Sequence, residues 1–359
     1  MSRGASLGFV SVDLDELERR AATIVDPSAW DYFAGGADDE VTLAGNLAGW
    51  RALRLAPKVL RDVSAVDAST TVLGTPVSLP VLVAPTAYQR MAHDEGECAT
   101  ARAAAAAGTV MVASTLATTA LEQVAAAAPG APRWFQLYVH RDRGFTAELV
   151  ARAVDSGYTA IVLTVDAPIL GFRRRDERNN FTLPPHLQMA NMSVAVPTVE
   201  GSGIAAYAAT ALDPGVTFAD LAWLRSLSVL PLVAKGVQRG DDAARCSAEG
   251  VDAIAVSNHG GRQLDTARPT AEVLPEVVAA VDCEVLVDGG IRRGTDVVKA
   301  LALGARAVLI GRPVLWGLAT GGESGVLGVL DGFREAVLRA MVLCGAATVD
   351  ELTADLVVT

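Results

Sequence analysis

Eight short apolar runs recur along the chain from about residue 80. Each is followed by a polar loop and, in most cases, by an alanine-rich amphipathic stretch. The runs occupy 81–84, 110–113, 134–139, 160–165, 232–234, 253–256, 285–287 and 307–310, and they are rich in β-branched residues. Their length and composition predict buried strands. The stretches 95–107, 145–156, 241–248 and 295–303 carry the apolar spacing of helices. Eight strand–helix units of this size predict an α/β fold, a closed parallel (β/α)8 TIM barrel. An open doubly wound sheet is the competing architecture. It calls for a glycine fingerprint after an early strand, and none is present.

Ahead of the barrel, residues 12–50 have a helical pattern, with Asp13 a predicted N-cap and Glu16 three residues on. An extended segment or hairpin is expected over 53–80, turning at Gly74, Thr75 and Pro76. The whole chain, 1–359, reads as one domain: an extension over 1–79, a barrel over 80–345 and a lid loop over 168–217 after the fourth strand. That connection contains Pro184, Pro185, Pro197, Gly201 and Gly203. Insertions at the carboxyl ends of barrel strands are lids or substrate loops, or else loosely ordered segments without function.

Composition narrows the function classes. Half of the 359 residues are apolar, enough for a large core, and the net charge of −11 argues against nucleic acid or an anionic membrane as partner. Arg173, Arg174 and Arg175 form the only basic run. Cys98, Cys246, Cys283 and Cys344 lie far apart in no metal-like spacing, so no metal site is predicted; they read as reduced residues in the core or on helices. The uncharged stretch 103–121 is split by Gly108 and diluted by Ser and Thr, which favours a helix end followed by a strand over a membrane span. The short apolar stretch near the N-terminus is followed by Asp13, Asp15 and Glu16, unlike a signal peptide, and the C-terminus is not a peroxisomal address. A soluble, cytoplasmic protein is expected.

Barrel enzymes place their chemistry at the carboxyl ends of the strands. Here the first predicted strand ends in Pro85, Thr86 and Ala87, the second in Ser114, and the third carries Gln136 and Tyr138. The fourth ends in Thr164 and Asp166, the fifth in Lys235, the sixth in Ser257 and His259, the seventh in Asp288, Gly289 and Gly290, and the eighth in Gly311 and Arg312. Singly, Ser114 or Thr164 reads as a satisfied core group. Eight strands delivering polar groups to one rim imply a bound ligand.

Asp288-Gly289-Gly290-Ile291-Arg292 and Gly311-Arg312 fall in the seventh and eighth loops, where barrels bind phosphate with backbone N–H groups and arginine. Lys235 needs an anionic partner, either an electron-rich cofactor ring or a neighbouring carboxylate. The loop 257–265 holds His259 and Arg262. An imidazole can take a proton near neutral pH and a guanidinium can grip a carboxylate with two hydrogen bonds. The pair suggests a site that holds a small acid and removes a proton from it.

These residues resemble those of the FMN-dependent (S)-2-hydroxy acid oxidases and dehydrogenases, which include glycolate oxidase, lactate oxidase, lactate monooxygenase and mandelate dehydrogenase. The resemblance covers about residues 12–345. It rests on Asp31-Tyr32-Phe33-Ala34-Gly35-Gly36, Ala84-Pro85-Thr86-Ala87, Phe135-Gln136-Leu137-Tyr138, Leu163-Thr164-Val165-Asp166, the 257–265 loop and the 288–296 segment. It implies FMN across the barrel mouth. Pro85, Thr86 and Ala87 would face the flavin, Ser114, Gln136 and Thr164 its ring edge, and Lys235 its N1–O2 side, with Tyr138 and Ser257 also belonging to the cofactor site. Asp288, Gly289, Gly290, Arg292, Gly311 and Arg312 would hold the ribityl chain and phosphate.

For substrate, the resemblance implies that Arg173 and Arg262 clamp the carboxylate with help from Tyr32. Tyr138 would bond the hydroxyl, His259 would be the base and Asp166 would orient it. Arg174 and Arg175 would be solvated or pair with the lid, and His140 would have no catalytic role. The implied reaction turns an (S)-2-hydroxy acid into its 2-oxo acid and returns the electrons to O2 as H2O2. The same residues suit a non-oxygen acceptor or carrier, or a decarboxylating monooxygenase. A different flavin barrel or a non-catalytic flavin-binding barrel would share the fold. A homo-oligomer, often a tetramer, is also implied. Leu116 stands where glycolate oxidases carry tryptophan; with small Ala87 and with Leu170, it predicts a pocket for a bulkier aliphatic or aromatic acid. The lid lacks the long apolar insertion of a membrane-bound mandelate dehydrogenase, which favours a soluble oxidase.

Overall fold

In the computed structural model, residues 12–192 and 203–358 are described. Eight parallel strands close a barrel: β1 (Val81–Val83), β2 (Met111–Ser114), β3 (Arg133–Leu137), β4 (Ala160–Thr164), β5 (Leu232–Val237), β6 (Ala253–Val256), β7 (Glu284–Val287) and β8 (Ala307–Ile310). Each pairs with its neighbours in sequence, and β8 pairs back onto β1 with Val308 opposite Val81. The registers set Ser114 beside Gln136 and Thr164 beside Lys235, which aligns polar residues at the carboxyl-terminal rim.

Alternation along the strands separates two cores. Leu82, Val112, Trp134, Val162, Val233, Leu286 and Leu309 belong to one cluster inside the barrel. The other lies under the helices, among them α1 (Leu14–Ile24), α2 (Pro27–Ala34), α3 (Val41–Ala52), α4 (Gly96–Ala106), α5 (Leu121–Ala127) and α6 (Arg143–Asp155). The chain continues through α7 (Arg174–Arg178), α8 (Gly203–Ala211), α9 (Ala219–Leu227), α10 (Gly240–Ala248), α11 (Thr270–Val278), α12 (Gly294–Ala302) and α13 (Arg312–Cys344), the last kinked at Gly321 and Gly322. The four cysteines are free; Cys98, Cys246 and Cys344 lie on helices, whereas Cys283 is half-buried just before β7. Among the described residues no helix is long and apolar enough to cross a membrane.

The expected hairpin forms from Thr70–Val72 and Thr75–Val77, but Thr75 and Pro76 are in its second strand rather than its turn. The turn is Leu73-Gly74, both at positive φ (48° and 72°), the conformation that lets a two-residue loop follow strand twist. Its Val72 and Val77 join the cluster inside the barrel. Helix ends shift by one or two residues from expectation. Asp142, for instance, caps α6 by accepting from Phe145 N–H, so that helix starts at Arg143.

Two further features position the mouth. The N-terminus of α3 has no cap of its own; Asp265 in the His259 loop accepts from Thr42 N–H (2.8 Å) and Asp39 N–H (3.1 Å) instead. The lid, read from sequence as a loop, contains helices α7 and α8. Arg175 pairs with Glu40 at 2.6 Å and Arg174 with Asp39 at 3.3 Å, locking α7 to the N-terminal extension. The Pro197 and Gly201 part of the expected lid lies outside the described residues.

Candidate active site

The rim residues converge on a cavity of about 1240 Å³, its mouth included. Pro85, Thr86, Ala87, Ser114, Gln136, Tyr138, Thr164, Lys235, Asp288, Gly289, Gly290, Arg292, Gly311 and Arg312 line it, as do Tyr32, Arg173, His259, Arg262, Leu116 and Leu170. Two of the expected site residues stand behind the wall. Ser257, expected to belong to the cofactor site, is fully buried and is not among the residues that line the cavity. Its hydroxyl oxygen accepts from Lys235 Nζ and from His259 N–H, each at 3.0 Å, so it holds two lining residues in place. Asp166 also sits back, with its side chain 7% exposed and Oδ1 2.9 Å from His259 Nδ1.

The imidazole is directed by its backbone. His259 adopts a left-handed φ of 56° beside Gly260 and Gly261, which also have positive φ. Asp166 reaches it because the facing residue on β5 is Gly236, at φ 114° and at the register shift of that strand. A Cβ there would lie 2.5 Å from Asp166 Cγ. Burial works against the Asp166 charge, but the His259 ring, its hydrogen bond and Lys235 together hold the carboxyl below its ordinary value. Nδ1 is therefore tied to a carboxylate, leaving Nε2 as the free nitrogen.

Two guanidiniums, those of Arg262 and Arg173, line the same cavity as that ring. Arg262 is anchored by the carbonyls of Tyr32 and Gly35 and stacks 4.8 Å from the Tyr32 ring. Burial, then Arg173, bring Arg262 down to about 10. Arg173 is 6% exposed and leaves one terminal nitrogen without a hydrogen bond, its nearest carboxylate being Asp176 at 3.9 Å. The Tyr32 ring is clamped by stacking on Phe181, with centroids 4.5 Å apart. Burial first, then Asp166 and Tyr32, push the Tyr138 hydroxyl up, so it stays protonated.

Lys235, Asp288, Arg292 and Arg312 line the same cavity. Lys235 meets Asp288 at 2.8 Å, so the carboxylate alternative for its partner holds. Burial disfavours the ammonium, but Asp288 and Asp166 outweigh it and raise Lys235 above its ordinary value. The second Asp288 oxygen is buried with no hydrogen bond. Arg292 stacks on Trp316 at 4.9 Å, and burial brings it down to about 10. Arg312 donates to the carbonyls of Phe33, Gly260 and Gly35, and burial, then Arg262 and Arg292, lower it well below its ordinary value. Gly289 and Gly290, at φ 88° and 84°, expose backbone beside them. Half-buried guanidiniums in a glycine-lined cradle, plus an orphaned Asp288 oxygen, fit a cofactor with a phosphate at one end and polar hydroxyls next to it.

The matching family model is described as FMN-dependent dehydrogenase and covers residues 21–359. The chain belongs to that family. It is 53% identical over 351 residues to an L-lactate oxidase from Nostoc sp., covering 95% of this chain and 96% of the relative. It is 48% identical to human 2-hydroxyacid oxidase 1, covering 96% and 95%. A crystal structure of mandelate oxidase with (S)-4-hydroxymandelic acid superposes with a TM-score of 0.91 at 44% identity, over 94% of this chain and 96% of that one. A structure of a mandelate oxidase variant with the C4a-OH-FMN adduct superposes at 0.86 and 43% identity, over 94% and 97%. This protein is thus an FMN-dependent oxidoreductase of the 2-hydroxy acid oxidase group.

Within that family site, several residues escape sequence reasoning. Tyr207 and Ala208 of the lid helix α8 line the cavity, and the Tyr207 hydroxyl lies 2.6 Å from His140 Nε2. Gln263 donates to the carbonyls of Asp166 (2.9 Å) and Ile169 (2.8 Å), stitching the His259 loop to the start of the lid. Nothing in local pattern marks them, because their partners are distant in the chain.

Proposed function

We propose that this enzyme oxidises an (S)-2-hydroxy acid with an apolar side chain to the 2-oxo acid, with His259 as base and O2 as electron acceptor. The single observation that carries the reading is the sharing of one cavity by two guanidiniums, buried Arg173 and half-buried Arg262, with His259, whose ring is held by Asp166. Arg173 has only Asp176, at 3.9 Å, and Arg262 pairs with no carboxylate among the described residues, so the two are suited to a carboxylate with bidentate geometry. The substrate carboxylate bound there brings the α-carbon towards His259 and Tyr138.

Tyr138, kept neutral by burial, donates to the substrate's hydroxyl oxygen. His259 Nε2 accepts the proton that leaves the substrate, and Asp166 balances the imidazolium through Nδ1. Holding the reacting groups in this arrangement contributes on the order of 7–11 kcal/mol to the barrier lowering available from orientation. FMN, when bound, would supply the two-electron redox chemistry between the acid and O2, the balance being 2-hydroxy acid plus O2 to 2-oxo acid plus H2O2. Arg292, Arg312, Gly289, Gly290 and Gly311 are suited to hold its phosphate, and Lys235 to place positive charge by its ring.

Leu116, Leu170 and Ala208 line the cavity and offer an apolar wall to the substrate side chain. That wall suits an aliphatic group, and the absence of a bulky ring at Leu116 leaves space for a larger one. The curated relatives named for lactate and 2-hydroxy acids support the same class. The test is anaerobic mixing of the holoenzyme with a panel of (S)-2-hydroxy acids, followed by air. At least one acid should bleach the flavin absorbance, and reoxidation should release one H2O2 per acid consumed. A panel that leaves the flavin oxidised overturns the substrate reading. Bleaching that is reversed by a dye but yields no peroxide overturns the acceptor.

A further inference from the structure

Behind the wall that Thr86 presents to the cavity lies a buried polar chain that the reaction does not use. Glu97 is 0% exposed and is in no ion pair among the described residues. Its carboxylate accepts from Gln89 N–H (3.1 Å), Thr118 N–H (2.8 Å), the Thr118 hydroxyl (2.9 Å) and the Thr119 hydroxyl (2.8 Å). A buried carboxylate is tolerated when it is saturated in this way. It thereby ties the loop after β1 to the loop after β2, helped by Arg90 N–H donating to Thr118 Oγ1 at 3.1 Å. Tyr88 is held between them at φ 59°.

The side chain of Gln89, 1% exposed, points back towards the cavity wall. Its Oε1 accepts the Thr100 hydroxyl at 2.6 Å, and its Nε2 donates to Thr86 Oγ1 at 3.0 Å. A hydroxyl that accepts from an amide keeps its own proton for another acceptor. Thr86 lines the cavity, and among the described residues its hydroxyl donates to no protein group.

We propose that the Thr100–Gln89–Thr86 chain, anchored through the Gln89 backbone by Glu97, orients the Thr86 hydroxyl as a hydrogen-bond donor to FMN. Gln89, Thr100 and Glu97 are positioning residues; Thr86 touches the cofactor. A donor aimed at the isoalloxazine stabilises its electron-rich reduced form, so the chain tunes the potential as well as the affinity. The inference rests on the family's cofactor and is independent of which acid is oxidised.

The test compares holoenzyme with Gln89→Met, Thr86→Val and the double variant, reading the bound flavin's spectrum, its midpoint potential and the FMN dissociation constant. Each single change should weaken FMN about three- to tenfold, the range for one net hydrogen bond, and make the potential more negative. The double variant should be no worse than Thr86→Val alone, because both changes remove the same interaction. Since methionine alters packing, Thr100→Val provides a second perturbation that keeps side-chain shape. It should shift the potential in the same direction, and the shift should vanish when combined with Thr86→Val. Additive effects in either cycle, or FMN affinity in Gln89→Met equal to or above that of the parent, overturn the proposal.

Discussion

At the scale of single residues, the site depends on backbone conformations that most side chains avoid. His259 sits at φ 56° and Gly236 at φ 114°, and the Asp166 carboxylate fits between them because Gly236 has no Cβ. Two predictions belong here. His259→Ala should retain FMN yet lose turnover by about 10²–10⁴-fold, the contribution of a positioned base; steady-state oxidation within tenfold of the parent would show that another group takes the proton. Arg262→Ala should raise the substrate KM sharply with flavin content unchanged, as read by initial rates and visible absorbance. His259 and Arg262 were legible in the sequence because both sit in one glycine-softened loop after a strand. The partners of the Ser257 hydroxyl were not, since which group a loop hydroxyl meets depends on Lys235, 22 residues away.

At the scale of elements, the lid is held by its ends. Helix α7 is pinned by Arg175 to Glu40 and Asp31, and α8 is joined to the loop after β3 through Arg141 N–H to the Ala211 carbonyl (2.9 Å) and through His140 to Tyr207. Burial lowers His140 to about 4 from histidine's ordinary 6.5, against smaller opposing effects of a backbone hydrogen bond and Asp142. In the unfolded chain the ring binds its proton near 6.5, so between that value and about 4 the unfolded state holds more protons. Stability from this group is therefore complete above pH 6.5 and falls as pH drops towards 4, by at most about 3 kcal/mol. His140→Phe should flatten that slope, measured as urea midpoints at several pH values between neutral and 4; identical slopes in the two proteins would assign the acid loss elsewhere. The strands and most barrel helices were legible from periodicity. The lid helices were not, because α7 is only five residues long and is stabilised by ion pairs to the N-terminal extension rather than by an apolar face.

At the scale of the whole molecule, an acidic chain of net charge −11 concentrates Arg173, Arg262, Arg292, Arg312 and Lys235 around one cavity, against the carboxylates of Asp166 and Asp288. Like charges gathered in a buried site destabilise the fold until an anion neutralises them. FMN should therefore stabilise the protein strongly. At free FMN about 100-fold above its Kd, linkage predicts a gain of about 2.7 kcal/mol, seen as a rise in Tm with FMN concentration. A Tm indifferent to FMN would mean that the cationic floor is not where the phosphate binds.

The amino-acid order alone determined the barrel, because strand and helix periods are local and eight repeats leave few ways to bury their faces. It also determined which residues reach the rim, since the pleat and the carboxyl-terminal position of a loop follow from strand identity. Only the tertiary structure decided the pairings: Lys235 with Asp288, Gly236 making room for Asp166, Asp265 capping α3, and Glu97 and Gln89 supporting Thr86. Each of these brings together groups on different strands, helices or loops, or fixes a side-chain direction by burial. Hydrogen bonds and charge interactions of that kind act over a few ångströms in space, and distance along the chain carries no information about them.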